Sequence, residues 1–123
     1  MSAQPAIFVT RHDHRRLLAL LDRHPDSEVA AALEAELDRA TLVDTLPADV
    51  VGMHSRVHFR NEANGSEHSV LLAWPETVAQ HPGGLSVLTP AGAALLGLRT
   101  GDVIDWPAPA GQLRLRLLAT APE

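Results

Sequence analysis

The chain has 123 residues, of which 46% are hydrophobic, so it can bury a core in one compact domain with a modest extension. It contains no cysteine, which excludes disulfides and thiolate metal sites, and no apolar run approaches the roughly 18 residues of a membrane span. A net charge of −5 argues against binding to nucleic acid through its phosphates. Because residues 1–9 lack a charged segment and a long apolar segment, we expect no secretory signal and a cytoplasmic protein.

The first third of the chain has the pattern of two helices. Thr10 opens a capping pattern that predicts a first helix over residues 11–23. Pro25 ends that helix, and Ser27 can cap a second helix over residues 27–41. Two helices of similar length joined by a tight turn predict an antiparallel hairpin. The apolar residues of its seam are Leu17, Leu21, Val29, Leu33 and Leu37.

The remainder of the chain has the pattern of short strands. Residues 53–60 alternate between apolar and polar side chains, which predicts a half-buried strand. Asn64-Gly65 is typical of a hairpin turn, and residues 68–74 predict the returning strand. A last alternating strand is predicted at residues 113–117.

The stretch from residue 85 to residue 106 predicts a strand, a short helix, a turn and another strand. Thr89 can cap the helix with its hydroxyl, and Pro90 suits the first helical position. The helix is expected over residues 91–98, and it is too short to be stable alone, so a curved antiparallel sheet must wrap around it. Left-handed residues are expected at Gly97 and Gly101. Leu95 and Leu96 should anchor the helix in the sheet, among Val57, Leu71, Val87, Ile104 and Leu115.

The same stretch carries a family resemblance. The sequence S-V-L-T-P-A-G-A-A-L-L-G-L-R-T-G-D-V-I-D-W at residues 86–106 resembles the signature of the C-terminal domain of the Gre transcript-cleavage factors. The resemblance implies an FKBP-like fold, in which an antiparallel sheet wraps around a short helix.

Two further motifs make the resemblance more specific. The sequences V-T-R-H-D-H-R-R-L-L at residues 9–18 and E-L-D-R-A-T-L-V at residues 36–43 resemble the Rnk family. These regulators of nucleoside diphosphate kinase are Gre relatives with a shortened coiled coil. The expected architecture is therefore α+β, with an N-terminal helical hairpin over residues 1–41. A GreA/GreB C-terminal-like domain is expected over residues 42–123.

The turn between the two predicted helices carries charged residues. In the Gre factors, acidic residues at the coiled-coil tip hold a magnesium ion in the polymerase active site, and the resemblance brings Asp22, Asp26 and Glu28 into consideration for that role. The alternative is local, because acidic groups at the start of a helix favour its dipole. Together with Arg23, these residues are the candidate partner-binding tip.

A second candidate surface is the predicted strand-to-helix loop. Ser86, Thr89 and Pro90 match the family's loop, which in Gre factors helps to dock the domain on the polymerase. The alternative is that these residues only cap and start the helix.

Catalytic and metal-binding roles find little support in the sequence. His54 and His58 would lie about 13 Å apart along one strand, so solvated histidines are expected, with neither a metal site nor a cofactor. A prolyl isomerase pocket of this fold needs aromatic side chains. The chain has no tyrosine, and its aromatic residues are Phe8, Phe59, Trp74 and Trp106.

The sequence therefore predicts a binding protein and not an enzyme. The resemblance implies an RNA polymerase-binding regulator of transcription elongation, which docks at the secondary channel without stimulating transcript cleavage. The alternatives are a Gre-like cleavage cofactor and an FKBP-type peptidyl-prolyl isomerase. We expect no membrane partner and no sequence-specific contact with nucleic acid.

Overall fold

The computed structural model describes residues 4–108 and 111–122, without the side chain of Ala108. Its α-helices are α1 (Arg11–Asp22), α2 (Glu28–Arg39) and α3 (Pro90–Leu95), with a 3-10 turn at Val78–Gln80. Its strands are β1 (Phe8–Thr10), β2 (Thr41–Val43), β3 (Arg56–Asn61), β4 (Glu67–Ala73), β5 (Gly84–Ser86), β6 (Val103–Ala108) and β7 (Gly111–Ala121). A mixed helix-and-sheet architecture is thus confirmed, whereas the coiled-coil and FKBP-like descriptions stay predictions.

The two N-terminal helices begin where their caps predict. The Thr10 hydroxyl accepts a hydrogen bond from the Asp13 N–H, and the Ser27 hydroxyl accepts one from the Ala30 N–H. The helices face each other with the start of α1 beside the end of α2, since His14 Nε2 lies 3.2 Å from the Leu37 carbonyl oxygen. Helix α2 ends at Arg39, two residues before the predicted bound, because the next residue has extended backbone and leads into β2.

A two-stranded parallel ladder closes the base of this helix pair. Strand β1 enters α1, strand β2 follows α2, and Val9 pairs with Leu42 in the centre of the ladder. Strand β1 also rests on Gly97, whose carbonyl oxygen accepts the Phe8 N–H at 3.2 Å. A Cβ at Gly97 would lie 2.8 Å from the Ile7 Cβ, and its φ is +82°, so glycine suits this close approach. The sequence patterns did not predict this ladder.

The main sheet has five strands in the order β5-β4-β3-β7-β6. All its pairs are antiparallel except β4–β5, and a register shift interrupts the β3–β7 pair between His58 and Phe59. The predicted turn at Asn64-Gly65 joins β3 to β4, and Gly65 has the expected positive φ of 74°.

The strand predicted at residues 53–60 is shorter at its start and begins at Arg56. The Ser55 N–H donates to the Gly52 carbonyl, and the Ser55 hydroxyl accepts the Gly52 N–H at 2.9 Å, so this segment forms a turn. His54 within it has a φ of +67°, a left-handed conformation that a strand cannot contain.

The third helix is also shorter than predicted. Its predicted span was residues 91–98, but Leu96 already leaves the helical conformation with a ψ of 128°. Gly97 and Gly101 have positive φ, as expected. The last turn is lost because the Gly97 N–H donates instead to the Val51 carbonyl.

The core forms around α3 as predicted. The seven core residues expected from the sequence are all buried, and they are Val57, Leu71, Val87, Leu95, Leu96, Ile104 and Leu115. In the helix pair Val29 is only half-buried, and Ala30 takes its place in the seam with Leu33 and Leu37. The buried helix residues belong to the same cluster as the sheet and α3. The division at residues 41 and 42 stays a prediction.

Within residues 4–108 and 111–122, every helix is too short or too polar to cross a membrane.

Candidate partner-binding site

The turn between α1 and α2, residues 22–28, is here called the tip. Backbone hydrogen bonds fold it tightly, since the Arg23 N–H donates to the Leu20 carbonyl and the Ser27 N–H to the His24 carbonyl. The predicted residues Asp22, Arg23, Asp26 and Glu28 are all exposed here. Among the described residues, the side chains of these four make no hydrogen bond or ion pair within the chain. Their charges are therefore available to a partner.

Only some of the charged residues of the tip stabilise the helix that they belong to. Glu28 lies in the first turn of α2, where a carboxylate favours the helix dipole. Asp22 lies in the last turn of α1, where that dipole disfavours a carboxylate. The described part of the chain contains no group of three or more acidic or histidine side chains arranged to hold a metal ion. Within the described residues the tip is thus an exposed charged turn without such a group of ligands, and its role in binding a partner stays a prediction.

The second candidate surface, residues 86–90, is here called the capping loop. The Thr89 hydroxyl donates to the Ser86 carbonyl at 2.7 Å and accepts the Gly92 N–H at 3.0 Å. The Ser86 hydroxyl accepts the Leu88 N–H at 3.1 Å. Both hydroxyls thus stabilise the start of α3, and Pro90 occupies the first helical position. All three predicted residues are half-buried, so the loop offers a partner a rigid surface with few unused polar groups.

The tip and the capping loop are separate features. Across residues 4–108 and 111–122, no hydrogen bond or ion pair joins one to the other. The structure therefore brings the predicted residues together as two groups, one on the helix pair and one beside α3.

The histidines do not form a metal site within the described residues. His54 precedes β3, so it does not share a strand with His58 as predicted, and its ring lies 5.6 Å from the ring of His81. His58 is held across the β3–β4 pair, with Nδ1 2.9 Å from the Ser69 hydroxyl and Nε2 2.8 Å from a Glu67 carboxylate oxygen. This row of contacts on the exposed sheet face supports strand pairing.

Charged contacts between residues distant in the chain, such as Arg116–Glu62 and Arg16–Glu76, were not predicted from the sequence. Glu62 accepts from Arg116 Nε at 2.8 Å and from Arg60 Nε at 3.3 Å, and the hydrogen bond from Arg116 lowers the pKa of its carboxyl. Arg16 on α1 pairs with Glu76 at 3.2 Å and stacks on Trp74. No local pattern signals the Arg116–Glu62 and Arg16–Glu76 contacts, because their partners are 54 and 60 residues apart.

Comparisons with known proteins match both parts of this architecture. Residues 5–43 match the family described as Rnk N-terminus, and residues 46–121 match the family described as transcription elongation factor GreA/GreB, C-term. This chain belongs to the Rnk family of GreA/GreB-related proteins. The family predicted from the sequence motifs is thereby confirmed.

Relatives of this Rnk-family protein agree with that assignment. The regulator of nucleoside diphosphate kinase from Escherichia coli (strain K12) is 42% identical, over 89% of this chain and 83% of that protein. The transcription inhibitor protein Gfh1 from Thermus aquaticus is 34% identical, over 72% of this chain and 57% of that protein. The structure of a prokaryotic transcription elongation factor GreA/GreB from Nitrosomonas europaea aligns with a TM-score of 0.74 and 40% identity, over 96% of this chain and 99% of that chain. These matches are to regulators and transcription factors, and the expectation that this protein is not an enzyme stays a prediction.

Proposed function

We propose that this Rnk-family protein binds RNA polymerase at its secondary channel and regulates transcription elongation without stimulating transcript cleavage. Family membership supports the elongation role. The observation that carries the proposal is the tip, where Asp22, Arg23, Asp26 and Glu28 are exposed and have no partner among the described residues. A cytoplasmic location follows from such a partner and stays a prediction.

A rigidly held tip favours recognition of one partner surface. The Val9–Leu42 pairing fixes the base of the helix pair, and Leu17, Leu33 and Leu37 are almost fully buried beneath it. A surface that is already ordered loses less conformational entropy when it binds. The tip therefore suits insertion into a channel better than a flexible loop would.

The reach of the helix pair argues against transcript cleavage. Each helix has 12 residues, which corresponds to a length of about 18 Å. In the Gre factors, as the resemblance implies, tip carboxylates on a longer hairpin must coordinate the polymerase's magnesium ion. Inner-sphere Mg–O distances are about 2.0–2.1 Å, so a tip that ends whole helical turns away from the magnesium ion provides no ligand to it. In this proposal the protein occupies the channel and competes with longer factors.

Prolyl isomerase activity is disfavoured by the placement of the aromatic residues. Trp74 and Trp106 are 3% and 2% exposed, so neither indole is open to a peptide. A pocket of that class needs accessible aromatic walls. We therefore retain the regulator as the proposed function.

The decisive experiment measures polymerase binding and RNA cleavage with the same protein. We expect the immobilised protein to bind purified polymerase and Asp26→Arg to weaken binding about three- to tenfold, with altered salt dependence, because rim charges tune association. Glu34→Arg is the matched control, since Glu34 is also an exposed acid of the helix pair but lies outside the tip. Equal losses for both variants would remove the tip from the interface.

Cleavage is followed on a stalled, backtracked elongation complex with Mg²⁺. We expect no release of a 3′ RNA fragment above the polymerase's own background, and less cleavage when a Gre factor competes. Fragment release that disappears in an Asp22→Asn, Asp26→Asn double variant would show that the argument from reach is wrong.

A further inference from the structure

One side chain of α1, that of Arg16, makes two specific contacts with the segment that directly follows β4. Arg16 Nη2 lies 3.2 Å from a Glu76 carboxylate oxygen, and the Arg16 guanidinium carbon lies 4.0 Å from the centroid of the Trp74 ring. Trp74 is buried and directly follows β4, whereas Arg16 and Glu76 are each about half exposed. A guanidinium that stacks on an indole and pairs with a carboxylate is held in both position and orientation.

The two partners of Arg16 belong to the segment that leads to the capping loop. From Trp74 the chain passes through the 3-10 turn and β5, and it reaches Ser86 within that short path. Arg16 itself lies in the middle of α1, whose last residue begins the tip. The contact therefore joins the helix that carries one candidate surface to the segment that carries the other.

The β1–β2 ladder and the leucine packing hold the base of the helix pair, and Arg16 adds a directional contact further along α1. Burial of Leu17, Leu20 and Leu21 stabilises the contact of α1 with the core, but hydrophobic burial is non-directional. The Glu76 carboxyl has a lowered pKa, caused first by its own backbone N–H, then by Arg16 and last by the charge of Arg23, so it is ionised near neutral pH. The charged contact is thus present under ordinary conditions.

We propose that Arg16 is a positioning residue, which sets the orientation of the tip relative to the capping loop and so allows both to contact one partner. This inference rests on the proposed function for its partner, but its geometric part can be tested on the protein alone. Arg16 need not touch the partner. It acts through Trp74 and Glu76.

The geometric test uses a pair of spin labels. Because the chain contains no cysteine, His24→Cys at the tip and Gln80→Cys on the 3-10 turn provide two unique exposed labelling sites. Double electron–electron resonance should give one narrow distance distribution in the otherwise unchanged protein. We expect Arg16→Ala to broaden and shift this distance distribution, and Arg16→Lys to change it less. The neighbouring Arg15→Ala should leave the distribution unchanged. Arg15 is also exposed on α1, and it has no ion pair within the described residues.

The functional test measures the affinity of unlabelled variants for purified RNA polymerase. Arg16→Ala should weaken binding about three- to tenfold, the amount expected when a stack and a half-exposed ion pair are lost, and Arg15→Ala should not. Glu76→Gln keeps the stack and removes the ion pair, so its affinity for polymerase should lie between those of Arg16→Ala and Arg15→Ala. An unchanged distance distribution in Arg16→Ala overturns the inference, as does unchanged affinity in a protein that binds polymerase. If the unaltered protein does not bind polymerase, the proposed function fails, while the distance measurement still decides the positioning role.

Discussion

Replacement of Gly92 by alanine provides a test in which two physical effects have opposite signs. Gly92 lies in the first turn of α3, where a change from glycine to alanine alone would stabilise the helix by about 1 kcal/mol. However, a Cβ at this position would lie 2.1 Å from the Ser86 carbonyl oxygen and 2.9 Å from the Thr89 hydroxyl oxygen. Both atoms belong to the capping loop, and the first is backbone, so a rotamer change cannot relieve the overlap.

The expected magnitude follows from these distances. Relief of the overlap requires a backbone shift of about 1 Å, and overpacking of this kind costs about 1–3 kcal/mol. The same shift separates the Thr89 hydroxyl from the Gly92 N–H, and loss of such a cap costs about 1 kcal/mol. After the helix-propensity gain is subtracted, Gly92→Ala should destabilise the protein by about 1–3 kcal/mol.

Urea unfolding measures this free energy. Both tryptophans of the chain, Trp74 and Trp106, are buried, so their fluorescence should report the transition together with far-ultraviolet circular dichroism. Thr89→Ala is the control that removes the cap without the overlap, and it should cost only about 1 kcal/mol. A Gly92→Ala protein that is as stable as the unaltered protein, or more stable, would refute the argument from close approach.

Two other predictions concern the helix pair and the sheet face. Leu33 is fully buried, so Leu33→Ala should lower the free energy of unfolding by about 2–4 kcal/mol in the same urea assay. Val29→Ala, at a half-buried position, should lower it by less. Equal losses of stability would contradict the seam assigned to α2. The pKa of Glu62 is lowered in the folded protein, first by the hydrogen bond from Arg116. The ionised Glu62 therefore contributes to the stability of the fold at pH values above its ordinary pKa near 4.5, and this contribution is lost as the pH falls through the lowered pKa. Glu62→Gln should therefore melt at a lower temperature than the unaltered protein at pH 7, and the difference should shrink as the pH falls below 4.5; a difference that is independent of pH would argue against the ion pair.

Local signals in the sequence predicted the local structure well. Thr89, Pro90 and the small residues after them predict the start of α3, because the cap and the first turn involve neighbours in the chain. Asn64-Gly65 predicts its turn for the same reason. Fold class and core residues followed from the same patterns, and the family followed from the motifs.

Contacts between distant residues could not be predicted in this way. The β1–β2 ladder has only three residues in each strand, too few for an alternating pattern, and its strands are separated by two helices. His54 lies inside an alternating segment, yet a turn closed by Ser55 takes it out of the strand. The place of Arg16 on Trp74 depends on how α1 lies over the sheet, which no single segment encodes.

The ladder between β1 and β2 makes the length of the helix pair adjustable. The chain leaves β1, runs out along α1, returns along α2 and resumes in β2 beside its starting point, so the ladder pairs the same residues whatever lies beyond it. Whole turns added equally to α1 and α2 on the tip side of the last buried residues, Leu21 and Ala30, would move the tip outward by about 5.4 Å each without disturbing the base. One scaffold can in this way present the same charged turn at graded depths, and a graded series of such proteins would measure how far a channel extends.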